Sequence, residues 1–354
     1  MSGGVDSSVA AAVLKNQGYD VVGVFMKFWT PPQERGKQLE NKCCSAEAQA
    51  DARKVAAKLN IPLYTLNFEK EFKKRVVDYF VEEHKRGRTP NPCVECNRWI
   101  KFKFLMEKAL QLKANYVSTG HYVRTKDGRL FVARDKQKDQ SYFLWTLTQK
   151  QLKKILFPIG DYTKKEVKKM AKKWDLPVFE KRESQEICFI ATTVEKFLKR
   201  ALPAEAPTDV GAGPIITTKG GKVGEHEGLA FYTIGQRKGI RIGGIGPFYV
   251  VDKDFKNNAL IVAKSEHALE LYKKETMVKK VSWTSGLPAG KEPKLPLRCK
   301  VKIRYLHPAA SATIYQLPNT RYKIQFTKPQ RAITPGQSAV FYKRNEVLGG
   351  GIIC

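Results

Sequence analysis

The sequence has no apolar run near the ~20 residues that cross a bilayer as a helix, so no transmembrane span is expected and no membrane partner is implied. Its longest mixed run, YDVVGVFMKFW at 19–29, reads as a buried strand. The first residues do not resemble a secretory leader. Acidic charge is scarce: 34 Asp+Glu face 64 Lys+Arg, a net of +30 over 354 residues. The excess is not a tail, since residues 1–200 carry 40 basic against 23 acidic side chains and residues 201–354 carry 24 against 11. A basic surface so extended favours a polyanionic partner, nucleic acid first, because each phosphate contact releases a condensed counterion. Cysteines are few and odd in number, seven at 43, 44, 93, 96, 188, 299 and 354. That argues against a disulfide scaffold and predicts reduced thiols in a cytoplasmic protein. Internal repeats and low-complexity stretches are absent.

What is present is α/β alternation over the first 200 residues. Helices are predicted over 8–19, 45–60, 69–87 and 98–113, and strands over 20–28, 61–68 and 114–122. Phe72, Val76, Val77 and Phe80 line one face of the third helix. Thr163 and Glu166 form a capping box that opens another helix. The pattern predicts a doubly wound, mostly parallel sheet in a domain at 1–200. A Pro/Gly/Ala linker at 202–214 leads into a glycine-rich, β-rich region, giving a central domain at 201–275. Alternating segments at 297–305, 312–317, 321–326 and 337–342 then predict a small β-barrel at 276–354.

The chain opens MSGGVDSSVAA. A glycine-rich turn entering a helix presents backbone N–H groups to an anion, and the helix dipole adds to them. Gly3 and Gly4 permit close approach of the main chain, Ser2, Ser7 and Ser8 add hydroxyls, and Asp6 is placed to hold Mg²⁺ beside phosphates. A Walker A loop needs a lysine that this stretch lacks, so the loop reads as a pyrophosphate grip. The bland alternative is a Gly/Ser turn that merely caps a helix. The stretch resembles the PP-loop of the ATP pyrophosphatase (adenine nucleotide α-hydrolase) superfamily, whose members adenylate a substrate oxygen and release pyrophosphate. Relatives carry a strand before this loop, so the chain as given is expected to lack roughly ten residues, enough to cross a sheet at about 3.3 Å per residue.

The second chemical segment is RTPNPCVECNRWIKFKF at 88–104. Cys93 and Cys96 form a CxxC beside two prolines, and thiols at a helix N-terminus become reactive thiolates. Half a zinc site or a redox pair are the alternatives, but no second CxxC or paired histidine completes a zinc site. Cys188, in RESQEICFI at 182–190, taken alone reads as a buried structural cysteine. The pair Cys43–Cys44 and Cys299 also read as structural.

Together these segments resemble the tRNA-specific 2-thiouridylase (MnmA/TrmU) family along nearly the whole chain. The matching stretches are SGGVDSSVAA, VFMKFW, GRTPNP with CNRWIKF, STGHYVR, KDQSYFLWTL, ESQEICFI, GEHEGLAFYTIGQRKG, YVVDKD, TPGQSAVFY and LGGGII. The resemblance implies an ATP- and Mg²⁺-dependent enzyme that thiolates C2 of the wobble uridine of tRNA. ATP would lie on Met1, Ser2, Gly3, Gly4, Val5, Asp6, Ser7 and Ser8, with Met26 and Gly120. Cys188 would carry a persulfide supplied by a cysteine desulfurase or relay protein, and Cys96 would be the nucleophile that attacks it, leaving a Cys96–Cys188 disulfide. Asn91, Pro92, Cys93, His121, Lys138, Asp139, Gln140, Arg304, Tyr305 and Gln337 would contact tRNA. Cys93 departs from the family's aspartate, which leaves that acid/base role open. It also raises a second possibility, an Fe–S cluster on Cys93, Cys96 and Cys188. Competing readings of function are another PP-loop ligase or amidotransferase, or a non-catalytic RNA-binding protein.

Overall fold

The computed structural model describes residues 1–31, 44–181, 187–202, 211–240, 242, 247–284, 293–318 and 321–354. Cys43, the RESQE stretch at 182–186, residues 203–210 of the predicted linker, and residues 241 and 243–246 lie outside the described residues.

The first helix, α1 (Val5–Asn16), starts at the glycines, because Gly4 takes an extended N-cap conformation and releases Val5 into the first turn. The second, α2 (Ala46–Lys58), is capped by Ser45, whose hydroxyl accepts from Ala48 N. Its alanines Ala48 and Ala52 pack closely on Phe25. That phenylalanine belongs to β1 (Gly23–Lys27), which pairs in parallel with β2 (Leu63–Asn67). Next come β3 (Val117–Ser118), β4 (Val123–Lys126), β5 (Arg129–Val132) and β6 (Ile155–Leu156), of which β3 and β6 also pair in parallel. The parallel pairing thus appears as two short ladders. The strand predicted over 114–122 shrinks to two residues, because the chain beyond Ser118 leaves the ladder to cross the start of α1.

Two long helical runs, at 69–85 and 92–111, each contain a π-helical stretch, Lys73–Val77 and Cys96–Phe104. The second starts at Pro92, with Asn91 as its cap, so both CxxC cysteines lie inside the helix and not ahead of it. The predicted capping box at Thr163 and Glu166 is present and opens the helix Lys164–Lys173, which packs against α1.

The central region forms a four-stranded sheet from β7 (Gly213–Thr217), β8 (Lys222–His226), β9 (Tyr249–Asp254) and β10 (Ala259–Ala263), ordered β8-β7-β10-β9. The last strands are β11 (Tyr272–Trp283), β12 (Leu297–Lys302), β13 (Ala310–Leu317), β14 (Arg321–Arg331), β15 (Ser338–Lys343) and β16 (Glu346–Ile353). They run β11-β14-β13-β12-β15-β16 and close through β16–β11 into a six-stranded barrel. Every residue of β16 is buried, and its glycines are required: a Cβ at Gly350 would lie 2.8 Å from the Trp145 indole.

The β4–β5 hairpin was not expected. It turns at Asp127 and Gly128, both with positive φ (52° and 70°), and adds β5 to the edge of β16. Asp-Gly between apolar segments is its sequence signal. The Arg129 guanidinium forks onto the Glu346 carboxylate across this join. One hydrophobic cluster follows the same route, from Phe72, Phe80 and Phe102 to Val340, Tyr342 and Val347 of the barrel. The α/β part and the barrel therefore share both a sheet and a core.

Candidate active site

The opening loop is compressed against α2. Gly3 has φ +66°, and a Cβ there would collide with the Ala48 carbonyl, so glycine is required by conformation and by space. Gly120 approaches from the other side, where a Cβ would lie 2.6 Å from Asp6 C and 2.7 Å from Ser7 N. The hydroxyls hold the turn: Ser8 Oγ donates to Gly4 O at 2.9 Å, Ser7 Oγ donates to the same carbonyl at 3.1 Å, and Ser2 N donates to Ser7 Oγ at 3.2 Å. Met1 N donates to Val24 O of β1. The result is a helix N-terminus at the carboxyl ends of parallel strands, the usual ligand position in an open α/β sheet.

Sequence reasoning found no lysine for this loop, yet the fold supplies one. Lys164, buried at the first turn of Lys164–Lys173, places Nζ 2.6 Å from Asp6 Oδ1, and Tyr122 Oη donates to the same oxygen at 2.8 Å. The one hint was a lysine just after a capping threonine, on a helix whose other lysines face water.

Residues 119–122 join this loop to the CxxC helix. Gly120 lies over α1, Tyr122 reaches Asp6, and His121 turns the other way into the 92–111 helix. Lys101 Nζ lies 3.5 Å from His121 Nε2 and can only donate, so Nε2 accepts and Nδ1–H faces Thr119 Oγ1 at 2.8 Å. Burial, with Lys101 adding to it, holds the imidazole well below its ordinary 6.5, so His121 is neutral.

The thiols differ in surroundings. Cys93 is exposed in the first helical turn, where its N–H donates to Asn91 Oδ1 at 3.1 Å. Cys96 is buried, with Ile100, Phe102 and Phe189, in the cluster against which Cys188, Cys44 and Met26 also pack. Cys96 and Cys188 therefore border one apolar core, while Cys93 faces solvent. Among the described residues no group of three His, Cys, Asp or Glu side chains is placed to hold a metal, so Cys93, Cys96 and Cys188 do not form a cluster ligand set. Cys299 lies in the barrel, where burial pushes its thiol up to about 12, as suits an inert side chain.

The loop ahead of the CxxC, residues 87–91, is fastened from three directions. Within the α/β part, Arg88 forks onto Glu83 with both contacts at 2.5 Å. From the central region, Lys253 Nζ donates to Gly87 O at 2.9 Å, and Thr233 Oγ1 meets Thr89 Oγ1 at 3.0 Å. From the barrel region, Pro335 O accepts from Thr89 N at 2.8 Å, and Gln337 Nε2 donates to Thr89 O at 2.8 Å. Lys253 is buried, which lowers it to about 7. Neither Lys253 nor Thr233 carries a sequence signal for this role.

The remaining expected RNA contacts are scattered. Lys138 is half-buried, and its turn is built by Asp139, which is buried and accepts from Ala133 N at 2.9 Å and Ser141 Oγ at 2.8 Å. Gln140 Oε1 accepts from Tyr122 N at 3.0 Å. Arg304 donates to Ala332 O and to Thr334 Oγ1, and Tyr305 packs on Phe143 with ring centres 4.5 Å apart and the planes tilted by 42°. Pro92 is buried at the helix start.

Family profiles match the chain in three blocks. A tRNA methyl transferase HUP domain covers residues 1–192, a tRNA methyl transferase PRC-barrel domain 195–264, and an aminomethyltransferase beta-barrel domain 273–353. A tRNA-specific 2-thiouridylase of Symbiobacterium thermophilum is 46% identical over all of this chain and 90% of its own length. The chain belongs to the tRNA-specific 2-thiouridylase family. Further members, from Caldanaerobacter subterraneus and Clostridium perfringens, are each 45% identical over the whole chain and 96% of their own lengths. A solved NMN synthetase from Francisella tularensis aligns with a TM-score of only 0.31 at 18% identity, over 52% of this chain and 63% of its own, and carries no argument. Membership in the thiouridylase family accounts for the pairing of an anion-gripping loop with thiols in one chain, which a bare PP-loop ligase does not need. No helix among the described residues is long and apolar enough to cross a membrane.

Proposed function

We propose that the chain, acting in the cytoplasm, thiolates C2 of the wobble uridine of tRNA at the expense of ATP. The observation that carries this reading is the 119–122 segment, which touches the phosphate-gripping loop through Gly120 and Tyr122 and the cysteine helix through His121. In this reading Met1–Ser8, with Met26 and Gly120, hold the nucleotide. Lys164 and the N-terminus of α1 take up the charge of departing pyrophosphate. Mg²⁺ supplies further charge neutralisation when it enters with ATP, and Asp6 is the loop carboxylate that would share it, in competition with Lys164 and Tyr122 for Oδ1.

The uridine O2 attacks the α-phosphorus, pyrophosphate leaves, and C2 then carries AMP as a leaving group. Cys188 bears a persulfide received from a cysteine desulfurase or relay protein. The Cys96 thiolate attacks the Cys188 sulfur, forming a Cys96–Cys188 bond and releasing the outer sulfur as hydrosulfide, which adds at C2 and expels AMP. An external dithiol donates two electrons to restore both thiols. Cys93, exposed at the helix start, borders the base together with Asn91 and Pro92. Lys138, Arg304, Tyr305, His121 and Gln337 shape or contact the RNA surface, with Asp139 and Gln140 forming the turn that presents Lys138. The α/β part at 1–200 performs the chemistry, and the regions at 201–275 and 276–354 hold the anticodon arm.

Nucleoside mass spectrometry of tRNA incubated with ATP and a sulfur source is the deciding test. Formation of 2-thiouridine that is lost in Cys188→Ser, with tRNA-dependent pyrophosphate release retained, is the expected result. Pyrophosphate release that ignores tRNA would refute the reading.

A further inference from the structure

Three cations converge on one indole at the far side of the CxxC helix. The Arg75 guanidinium carbon lies 4.4 Å from the Trp99 ring centre, Lys103 Nζ 4.8 Å and the Arg98 guanidinium carbon 5.0 Å. Arg98, Trp99 and Lys103 lie on the π-helical stretch that begins with Cys96, and Arg75 comes from the π-helical stretch packed on it. Arg75 and Lys103 are exposed. Among the described residues, none of the three forms an ion pair with a carboxylate, whereas Lys27, Lys58, Arg88 and Lys181 all do.

The carboxylate that touches the ring is Glu95, which accepts from Trp99 Nε1 at 2.8 Å. It is buried at the ring edge, where burial raises its pKa and Arg98 draws it the other way, so one enclosed carboxylate faces three cations. Lys280 of the barrel acts on Glu95 as well, adding positive charge from a second part of the molecule. The ring quadrupole holds each cation, but like charges gathered on one ring repel one another. An anion drawn between them relieves that repulsion.

We propose that this Trp99 platform is a docking surface for the phosphodiester backbone of the RNA whose base reaches the CxxC turn. Guanidinium forks match phosphate oxygens in pairs, and Arg75 and Arg98 bring two of them to one ring. The platform rides on the helix that carries Cys93 and Cys96, so backbone docking there sets the register of the strand against the thiols. This inference rests on the tRNA-thiolating reading above.

The test titrates the full chain with an unmodified tRNA transcript over a range of salt concentrations, and measures thiolation kinetics alongside. Arg75→Ala with Lys103→Ala is expected to lower the slope of log affinity against log salt by about 1.5, at 0.7–0.9 per phosphate contact. The KM for tRNA should rise about tenfold, with the loss falling on KM and not on kcat. Removing equal charge at Lys58 and Lys150 should leave the slope nearly unchanged. A wild-type slope in the Arg75/Lys103 variant overturns the inference. So does a defect seen only when sulfur comes from a donor protein, which would make the platform a protein-docking site. Failure of the wild-type chain to bind tRNA at all would instead sink the functional reading beneath it.

Discussion

The chain holds its two reactive loops by opposite means. The phosphate-gripping loop is shaped locally: glycines at 3 and 4 and hydroxyls at 2, 7 and 8 bond within a few residues of one another. The 87–91 loop, which aims the cysteines, has little internal structure of its own. It is held by Glu83 from behind, by Lys253 and Thr233 from the central region, and by Pro335 and Gln337 from the barrel side. On the proposed mechanism, activation of the uridine would depend mainly on one part of the molecule, and sulfur delivery on all three. Damage to either loop should therefore produce a different half-reaction defect.

The largest expected effect is at the first loop. Gly120→Ala places a Cβ 2.6 Å from Asp6 C and must push the strand end off α1. We expect at least a 100-fold loss of tRNA-dependent pyrophosphate release, since ångström misplacement of reacting groups costs about that much. Circular dichroism should stay close to wild type, and a variant that releases pyrophosphate normally would break the assignment of this loop.

Lys164→Met comes next. It leaves Asp6 with the Tyr122 hydroxyl but without its cation, and should slow pyrophosphate release roughly 10- to 100-fold. Added Mg²⁺ should recover part of the loss, because Asp6 becomes available to the ion. Absence of any magnesium response would separate Asp6 from the metal.

Gln337→Leu sharpens the contrast between the loops. It removes the amide that bonds Thr89 O, and should lower 2-thiouridine formation about tenfold while pyrophosphate release falls less than threefold. Equal loss in both assays would mean the two loops are not separately held.

The smallest effect is thermodynamic. Lys253 is lowered from 10.5 unfolded to about 7 folded. As pH falls from 10.5 to 7 the unfolded chain binds a proton that the folded chain does not, so this lysine progressively destabilises the fold across that window. Below about 7 both states are charged and the penalty is constant. The Tm of Lys253→Met relative to wild type should therefore improve by several degrees between pH 10 and pH 7. Calorimetry showing a pH-independent gap would contradict the burial of that amine.

Legibility in the sequence followed the range of the interactions involved. The left-handed backbone at Gly3, the capping box at Thr163 and the in–out alternation of the barrel strands are set by residues close together in the chain, and each is visible as a residue pattern. The helix start at Pro92 was misplaced by six residues, because two prolines and a CxxC read as a turn, whereas the Asn91 side chain caps Cys93 and Val94. The β16 strand was hidden by its three glycines, which lower strand propensity but make room for Trp145 at Gly350 and for β11 at Gly349 and Gly351. Lys253 and Thr233 have no local signature and Lys164 only its place after the capping threonine, since each acquires its role from a residue more than 140 positions away.

By itself the sequence determined the chemistry this protein can attempt: an anion grip, a set of thiols and a polycationic surface. Those properties belong to side-chain types and to backbone freedom at particular glycines, which need no distant partner. Only the tertiary structure decided that Cys96 is enclosed while Cys93 is open, that a lysine from another helix completes the phosphate loop, and that the cysteine loop is clamped by two other regions. Enclosure, charge pairing and clamping are properties of space between chain segments, and such space exists only once the barrel has closed on the α/β part.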